Sequence, residues 1–192
     1  EMPPQRCSGT PIETYGLRDL AKQGARENLA NLAGYDTVVT SCASCTLSLK
    51  DYVQLFKGEP EEAAALQLQE RVKHISEVLT DEVESESSGR HVMNGGSSLP
   101  RKKVTYHSSC HLRAAGVSQA PRKLLTSLPR MDYVEMRDAD RCAGGAGTYI
   151  IKNYETSQEI FQRKREAIAD SGAEVVATSC PACMIQLNNG LR

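Results

Sequence analysis

Seven cysteines, arranged in two similar patterns, are the residues of this chain with the clearest capacity for chemistry. Each pattern ends in a Cys-x-x-Cys pair on a near-identical stretch, residues 37–45 and 175–183. Each pair is preceded by a single cysteine that is followed by a small residue and a glycine, at Cys7 and at Cys142. Cysteines that keep this register while the residues between them change are typical of thiolate ligands for a soft metal centre. The sequence therefore predicts two related thiolate sites.

The second pattern contains a complete set of ligands, which we call site two: Cys110, Cys142, Cys180 and Cys183. A pair two residues apart at the start of a helix can bind a metal centre from one side, and two distant cysteines can close the other side. Four cysteine thiolates are the usual ligands of a [4Fe–4S] cluster. We therefore predict such a cluster at site two.

The first pattern, which we call site one, contains only Cys7, Cys42 and Cys45. A counterpart of Cys110 would fall upstream of Glu1. Because the chain opens without an initiator methionine, we expect it to be a piece of a longer polypeptide. Site one would then hold a second cluster if an upstream cysteine completes it, and three thiolates alone could hold only a labile one.

Two other uses of these cysteines remain open at this point. A closed structural zinc site uses the same four side chains, and ligand spacing does not separate zinc from an iron–sulfur cluster. A thiol–disulfide pair at Cys42/Cys45 or Cys180/Cys183 is the other alternative, although such chemistry needs no distal cysteines. An odd number of cysteines cannot pair completely in disulfides, which favours a reducing compartment.

Several residues beside the cysteines could adjust site two. His107 and His111 flank Cys110, and a local role at a strand end is the simpler interpretation for both. Residues 144–147 (Gly-Gly-Ala-Gly) could form a tight turn that needs positive φ. They could equally bring backbone N–H groups close to sulfur, and we expect one or both of these roles.

Length and charge exclude several classes of protein. The chain has 192 residues, of which 40% are hydrophobic, and a net charge of −1, which argues against a nucleic-acid partner. We interpret the basic clusters at 101–103 and 163–165 as solvent-exposed faces. No apolar run approaches the roughly 18–20 residues of a membrane span, and no secretory signal is visible. We expect a cytoplasmic protein that reaches a membrane only through partners.

Hydrophobic periodicity predicts alternating helices and strands. Helices are expected at 13–33, at 43–56, from Pro60 with an apolar face that runs to Leu79, from Pro121 to Leu128, and at 155–170, and His74 is expected on the third of these. Strands are expected at 37–40, 104–107, 133–136 and 174–177. This order predicts an α/β fold of two tandem pseudo-repeated βα units with mainly parallel strands. The units would be residues 1–80 and 101–192, joined by a flexible linker at 81–100. The cysteines would lie at the carboxyl ends of strands, where such sheets bind ligands.

The pattern resembles the cysteine-rich CCG domain family, which is heterodisulfide reductase-like. Members carry a cysteine, a Cys-Cys-Gly and a Cys-x-x-Cys, usually in two tandem copies. Site two matches one copy, and site one matches the last two-thirds of another. Residues 106–112 and 144–149 look especially like the iron–sulfur subunits of glycolate and lactate oxidases. The second cysteine of each Cys-Cys-Gly is replaced here, by Ser8 and Ala143.

This resemblance implies a non-catalytic electron-transfer component of an oxidoreductase. Its donor would be an FAD-containing dehydrogenase subunit acting on a 2-hydroxy acid such as glycolate or lactate. Its acceptor would be a quinone or a membrane subunit. The alternatives are a structural zinc-binding module and a heterodisulfide reductase-like thiol–disulfide oxidoreductase. The missing cysteines at positions 8 and 143 favour an ordinary four-thiolate cluster over a five-thiolate noncubane one.

Overall fold

The computed structural model describes residues 2–85 and 100–192. They form two compact units, divided between Ile75 and Ser76. Both units combine helices with parallel strands, which confirms the predicted α/β class. Assignment of the units to two tandem repeats, at 1–80 and 101–192, stays a prediction.

The first unit pairs two short parallel strands and packs helices against them. Its elements are α1 (Thr10–Thr14), α2 (Arg18–Leu32), β1 (Val38–Thr40), α3 (Ala43–Lys50), α4 (Tyr52–Leu55), α5 (Glu62–Arg71) and β2 (Val72–His74). The predicted helix at 13–33 is divided near Gly16, whose φ of 77° belongs to the left-handed region. Apolar side chains of the first unit, among them Leu29, Phe56 and Leu68, form one buried cluster.

The helix predicted from Pro60 through Leu79 is wrong in its middle. Residues 72–74 form β2 instead, and α6 (Ile75–Glu84) follows. Val72 and His74 are buried, and β2 pairs in parallel with β1. Pairing gives backbone groups of both strands their hydrogen-bond partners. This stabilisation is larger than the local preference of the segment for a helix. Helix α6 also occupies the first residues of the predicted linker, and the part of that linker at 86–99 lies outside the described residues.

The second unit is built on a three-stranded parallel sheet in the order β4-β3-β5. Its elements are most of α6, then β3 (Lys102–His107), α7 (Cys110–Ala114), α8 (Ala120–Ser127), β4 (Met131–Tyr133), α9 (Tyr149–Lys152), α10 (Tyr154–Ser171), β5 (Val175–Thr178) and α11 (Pro181–Gly190). Strand β4 begins and ends earlier than the predicted 133–136. The central strand β3 is the most buried, as expected of a strand with neighbours on both sides.

Close helix packing fixes the position of α11 against α10. Phe161 of α10 is buried against Leu187 of α11 in the core of the second unit. A Cβ placed on Gly190 would lie 2.1 Å from the Phe161 ring, so only glycine fits there. At the sheet, His107 of β3 lies opposite Thr178 of β5, which brings the carboxyl ends of these strands to one edge.

Candidate metal centre

Adjacent parallel strands carry Cys110 and Cys180 to the same edge of the sheet. Cys110 begins α7 shortly after β3, and Cys180 is the N-cap residue of α11 shortly after β5. Helix α7 starts here because the Ser109 Oγ accepts a hydrogen bond from the Leu112 N–H at 3.3 Å, a common N-cap arrangement. The fold therefore confirms that Cys110 and Cys180 follow the carboxyl ends of strands, as predicted.

The loop that carries Cys142 is fixed to the β3–α7 turn through its backbone. The Ala139 carbonyl accepts from the Ser108 N–H at 3.0 Å. The next carbonyl along the chain, that of Asp140, accepts from the Arg113 guanidinium at 2.8 Å. These bonds hold the approach to Cys142 beside the turn in which Cys110 lies.

The glycine run after Cys142 combines both of its predicted roles. Gly144 has a φ of 81°, and its N–H donates to the Cys142 Sγ at 3.3 Å. A Cβ on Gly145 would lie 3.3 Å from the carbonyl oxygen of Ala182, which is between Cys180 and Cys183. The run therefore makes a left-handed turn, and it also brings the Cys142 loop against the turn that holds the cysteine pair.

The four thiols of site two lie within electrostatic range of one another. A hydrogen bond with Cys180 and burial raise the pKa of the Cys183 thiol, and Cys180, Cys110 and Cys142 raise it further. Cys180 is buried, whereas Cys110 and Cys142 are exposed. Within residues 2–85 and 100–192, no three His, Cys, Asp or Glu side chains are already close enough to hold a metal ion. The thiols are grouped but not yet in coordination positions.

Four neighbouring thiolates are more stable around a cationic metal core than they are without one. Thiolates that face one another repel, which contributes to the raised pKa of Cys183. A cationic core would reverse that repulsion, and sulfur ligands select zinc or iron–sulfur centres. Assignment of Cys110, Cys142, Cys180 and Cys183 as ligands stays a prediction that this grouping supports.

Site one, in the first unit, also brings its cysteines near one another, through different contacts. The Ser8 carbonyl, next to Cys7, accepts from the Ser48 hydroxyl at 2.7 Å and from the Tyr52 hydroxyl at 3.0 Å. The Cys45 N–H donates to the Cys42 Sγ at 3.4 Å. Burial, with contributions from Cys42 and Cys7, raises the pKa of Cys45 to about 11. These three thiols are therefore also near one another, and their role as ligands stays a prediction.

Asn28 is a structural residue of site one that sequence reasoning missed. It is buried on α2, and its Oδ1 accepts from the Arg6 N–H at 2.7 Å. Its Nδ2 donates to the Tyr52 hydroxyl at 3.0 Å and to the carbonyls of Arg6 and Cys7. An asparagine within a helix is usually exposed. Only the helical spacing of Asn28 from the buried Ala21 and Ala25 could have indicated that it is buried too.

The basic cluster at 163–165 is not a uniform solvent-exposed face, so that prediction is wrong for its central residue. Lys164 is only 1% exposed, while Arg163 and Arg165 are exposed. The Lys164 ammonium donates to the Asp138 carbonyl, and burial lowers its pKa to about 8. Position 164 follows the buried positions Ser157 and Phe161 at helical spacing, which is the signal that could have revealed it.

His107, three residues before Cys110, is enclosed at the end of β3. It is 1% exposed, and its Nδ1 has no hydrogen-bond partner among the described residues. Burial lowers its pKa to about 4, and the positive charges of Lys164 and Arg113 contribute in the same direction. His107 is therefore neutral at pH 7.

The helices of the described ranges are all too short or too polar to cross a lipid bilayer.

An α/β fold with cysteines gathered at strand ends defines a class of cysteine-rich domain. A family model described as "Cysteine-rich domain", CCG, matches residues 1–50 and 104–188. The chain belongs to this family, which confirms the resemblance seen in the sequence.

Curated relatives share similarity along almost the whole chain. Lactate utilization protein A of Oceanobacillus iheyensis is 32% identical over 190 residues, covering 98% of this chain and 75% of that protein. A probable glycolate oxidase iron-sulfur subunit of Bacillus subtilis is 34% identical over 194 residues, covering 98% of this chain and 42% of that protein. A fumarate reductase (CoM/CoB) subunit of Methanothermobacter marburgensis is 32% identical over 188 residues, covering 97% and 35%. The chain thus spans less than half of the last two proteins.

Proposed function

We propose that this chain is an iron–sulfur electron-transfer subunit or domain of a flavin-dependent 2-hydroxy-acid oxidoreductase complex. The observation that carries the proposal is the grouping of cysteines from three separate segments: paired strands β3 and β5 bring Cys110 and Cys180 to one edge, and the Cys142 loop packs against the turn between Cys180 and Cys183. Site two would hold a [4Fe–4S] cluster on these four thiolates. Site one would hold a second cluster once a fourth ligand is supplied.

The residues of the second unit supply what such a cluster needs from a protein. The bound cluster would accept and pass on single electrons. The Gly144 N–H, which donates to the Cys142 sulfur, would stabilise negative charge on that ligand. Buried Cys180 would shield one side of the centre from water, and exposed Cys110 and Cys142 would leave the other side open to a redox partner. An electron carrier requires such an accessible edge.

The relatives support the choice of partner. One is named as a glycolate oxidase iron-sulfur subunit and another as a lactate utilization protein. We propose an FAD-containing dehydrogenase subunit as the electron donor and a quinone or membrane subunit as the acceptor. Ser8 and Ala143 stand where the family has further cysteines, which favours a cubane cluster over a noncubane one and electron transfer over disulfide reduction.

Metal and sulfide analysis of anaerobically reconstituted protein tests the proposal. We expect about four irons per filled site, an equal amount of acid-labile sulfide, and an EPR signal after reduction. Cys142→Ser should remove the iron of site two. Cys7→Ser makes the same chemical change in site one and should leave the site-two signal intact.

Two outcomes would contradict the proposal. Stoichiometric zinc that iron and sulfide do not replace would instead indicate a structural zinc module. Turnover of a disulfide substrate by iron-free protein, lost in Cys183→Ser, would instead indicate a thiol–disulfide oxidoreductase.

A further inference from the structure

A lysine ammonium is enclosed in the second unit without a carboxylate partner. Lys164 is 1% exposed, and its Nζ donates to one backbone carbonyl, that of Asp138. Among the described residues no carboxylate forms an ion pair with it. The two nearby carboxylates are engaged elsewhere, since Asp138 pairs with Arg141 and Asp140 pairs with Arg113, each at 3.5 Å.

A buried ammonium without an ion-pair partner destabilises the folded protein. Removing an ammonium from water without a counter-charge is strongly unfavourable, and a natural core excludes it unless an anion is supplied. Burial lowers the pKa of Lys164 to about 8, which expresses this cost directly. The neutral His107 nearby offers no negative charge.

The anchoring role of Lys164 does not explain its charge. Helices α2 and α10 both bury residues at helical spacing, and both enclose polar side chains that hold a loop, Asn28 on α2 and Ser157 and Lys164 on α10. Asn28 bonds the backbone of Arg6, just before Cys7, and Lys164 bonds the backbone of Asp138, shortly before Cys142. A neutral amide therefore holds the corresponding loop in the first unit, and the positive charge in the second unit needs a separate reason.

Three negative groups act on Lys164: the carboxylates of Asp140 and Asp138, which raise its pKa most and also pair with arginines, and the sulfur of Cys142, which is the one among them that is a proposed ligand of site two. Negative charge on the Cys142 sulfur raises the pKa of Lys164, so the two groups interact electrostatically. Four thiolates carry four negative charges, which a cluster core neutralises only in part. The buried ammonium and the thiolates of site two therefore lie where each can stabilise the other.

We propose that Lys164 is the fixed counter-charge of site two and sets its reduction potential. This inference rests on the proposed function. Reduction transfers one electron from the donor to the site, which adds one negative charge and requires no proton. A permanent positive charge favours that reduced state and shifts the midpoint potential upward. Lys164 acts through the electric field and is a tuning residue, since it binds neither iron nor substrate.

Redox titration of the iron-loaded protein, followed by EPR, tests the role of the charge. Lys164→Gln keeps a donor for the Asp138 carbonyl and removes the charge, and Lys164→Met removes both. Both variants should have a more negative midpoint potential than the wild type by a similar amount. Arg165→Gln removes an exposed charge one residue away and should leave the potential almost unchanged. Loaded Lys164→Gln and Lys164→Met with wild-type potentials would overturn the proposal.

Urea unfolding of the metal-free protein gives a second measurement. Without a metal centre, the ammonium is offset only by the Asp138 and Asp140 carboxylates, which are shared with arginines, and its pKa is still lowered, so Lys164→Met should raise the urea midpoint. A lowered midpoint in both variants would mean that Lys164 is a structural anchor, and would overturn the proposal. If the wild type binds no iron at all, the proposed function fails, and the urea comparison still decides the role of Lys164.

Discussion

At the scale of single residues, the reactivity of each sulfur in site two depends on the groups placed around it. The Gly144 N–H donates to Cys142, while burial and the neighbouring thiols act on Cys183. The protein therefore controls the thiols through backbone position and local charge, with neutral His107 adding no charge of its own. Substitutions that change either factor should be measurable without any partner protein.

Gly144→Ala should lower the free energy of unfolding by about 2–4 kcal/mol, because the new Cβ meets backbone and the φ is positive. That Cβ would lie 2.6 Å from the Ser157 carbonyl oxygen. Gly116→Ala is the matched control, since Gly116 has a φ of 82° but no described atom within 4 Å of the added Cβ. The control should cost only about 1 kcal/mol. Equal losses in urea unfolding would show that the Gly144 contact is unimportant.

The buried Lys164 predicts a pH dependence of the metal-free protein. Its folded pKa of about 8 lies below its ordinary value, so the folded state releases a proton that the unfolded state keeps. The free energy of unfolding, measured relative to Lys164→Met, should therefore rise by up to about 3 kcal/mol as the pH passes from about 8 to above 10. Chemical denaturation at several pH values checks this.

Other charged groups face Lys164, and the comparison with Lys164→Met cancels their own titration. The charged ones are Asp138, Asp140, Arg141 and Cys142 on the loop, and neutral His107 on β3 is the other titratable group beside it. The pH dependence should weaken once an anionic metal centre is bound, because that charge restores the pKa of the ammonium. A difference that stays flat between about pH 8 and 10 in metal-free protein would contradict the prediction.

At the scale of elements, one long helix in each unit supports the loop around the single cysteine. Helix α2 uses Asn28 and helix α10 uses Lys164 and Ser157, whose hydroxyl donates to the Gly144 carbonyl at 2.8 Å. A loop has few internal hydrogen bonds, so its position depends on such contacts from a rigid neighbour. The helices therefore determine where Cys7 and Cys142 lie.

Asn28→Ala should destabilise the protein by about 2–3 kcal/mol, because the buried Tyr52 hydroxyl and the part-buried backbone groups of Arg6 and Cys7 lose a partner. Asn31→Ala, an exposed position on the same helix, should change the free energy of unfolding by less than about 0.5 kcal/mol. Urea unfolding compares the two. Faster alkylation of Cys7 in Asn28→Ala than in Asn31→Ala would show that the loop has loosened.

Helices and strands could be predicted where the spacing of apolar residues agrees with the residues that typically end such elements. Helix α10 was expected within one residue at each end, because its apolar stripe ends at Gly172, whose φ of 64° matches a helix C-terminus. Strand β2 was missed because residues 72–74 continue a helical pattern, and only pairing with β1 makes them extended. Lys164 and Asn28 were missed because their helical spacing from buried residues is the only sequence signal for them, and a polar side chain at such a position is usually exposed.

At the scale of the whole molecule, the three cysteines of site one lie in the first unit and the four of site two in the second. No proposed ligand is shared between the units. Each unit therefore carries its own set of supporting contacts, such as the Tyr52 hydroxyl in one and the Gly144 N–H in the other.

This division predicts independent loading of the two sites. Cys183→Ser should abolish the EPR signal of site two and leave any iron bound at site one. Cys45→Ser should do the reverse, and the double variant should lose the sum of the two iron contents. Anaerobic iron analysis of the three variants measures this. Loss of both sites in either single variant would contradict independent loading.

The exposure of Cys110 and Cys142 has a consequence for how the protein must mature. Thiols at the surface are open to delivery of metal by an assembly factor, but they are equally open to oxygen and peroxide. Oxidation to sulfenic acid, or cross-linking to a neighbouring thiol, would remove ligands before any metal arrives. Filling the centre promptly is thus a form of chemical protection, and chains left empty should be the first to be damaged in air.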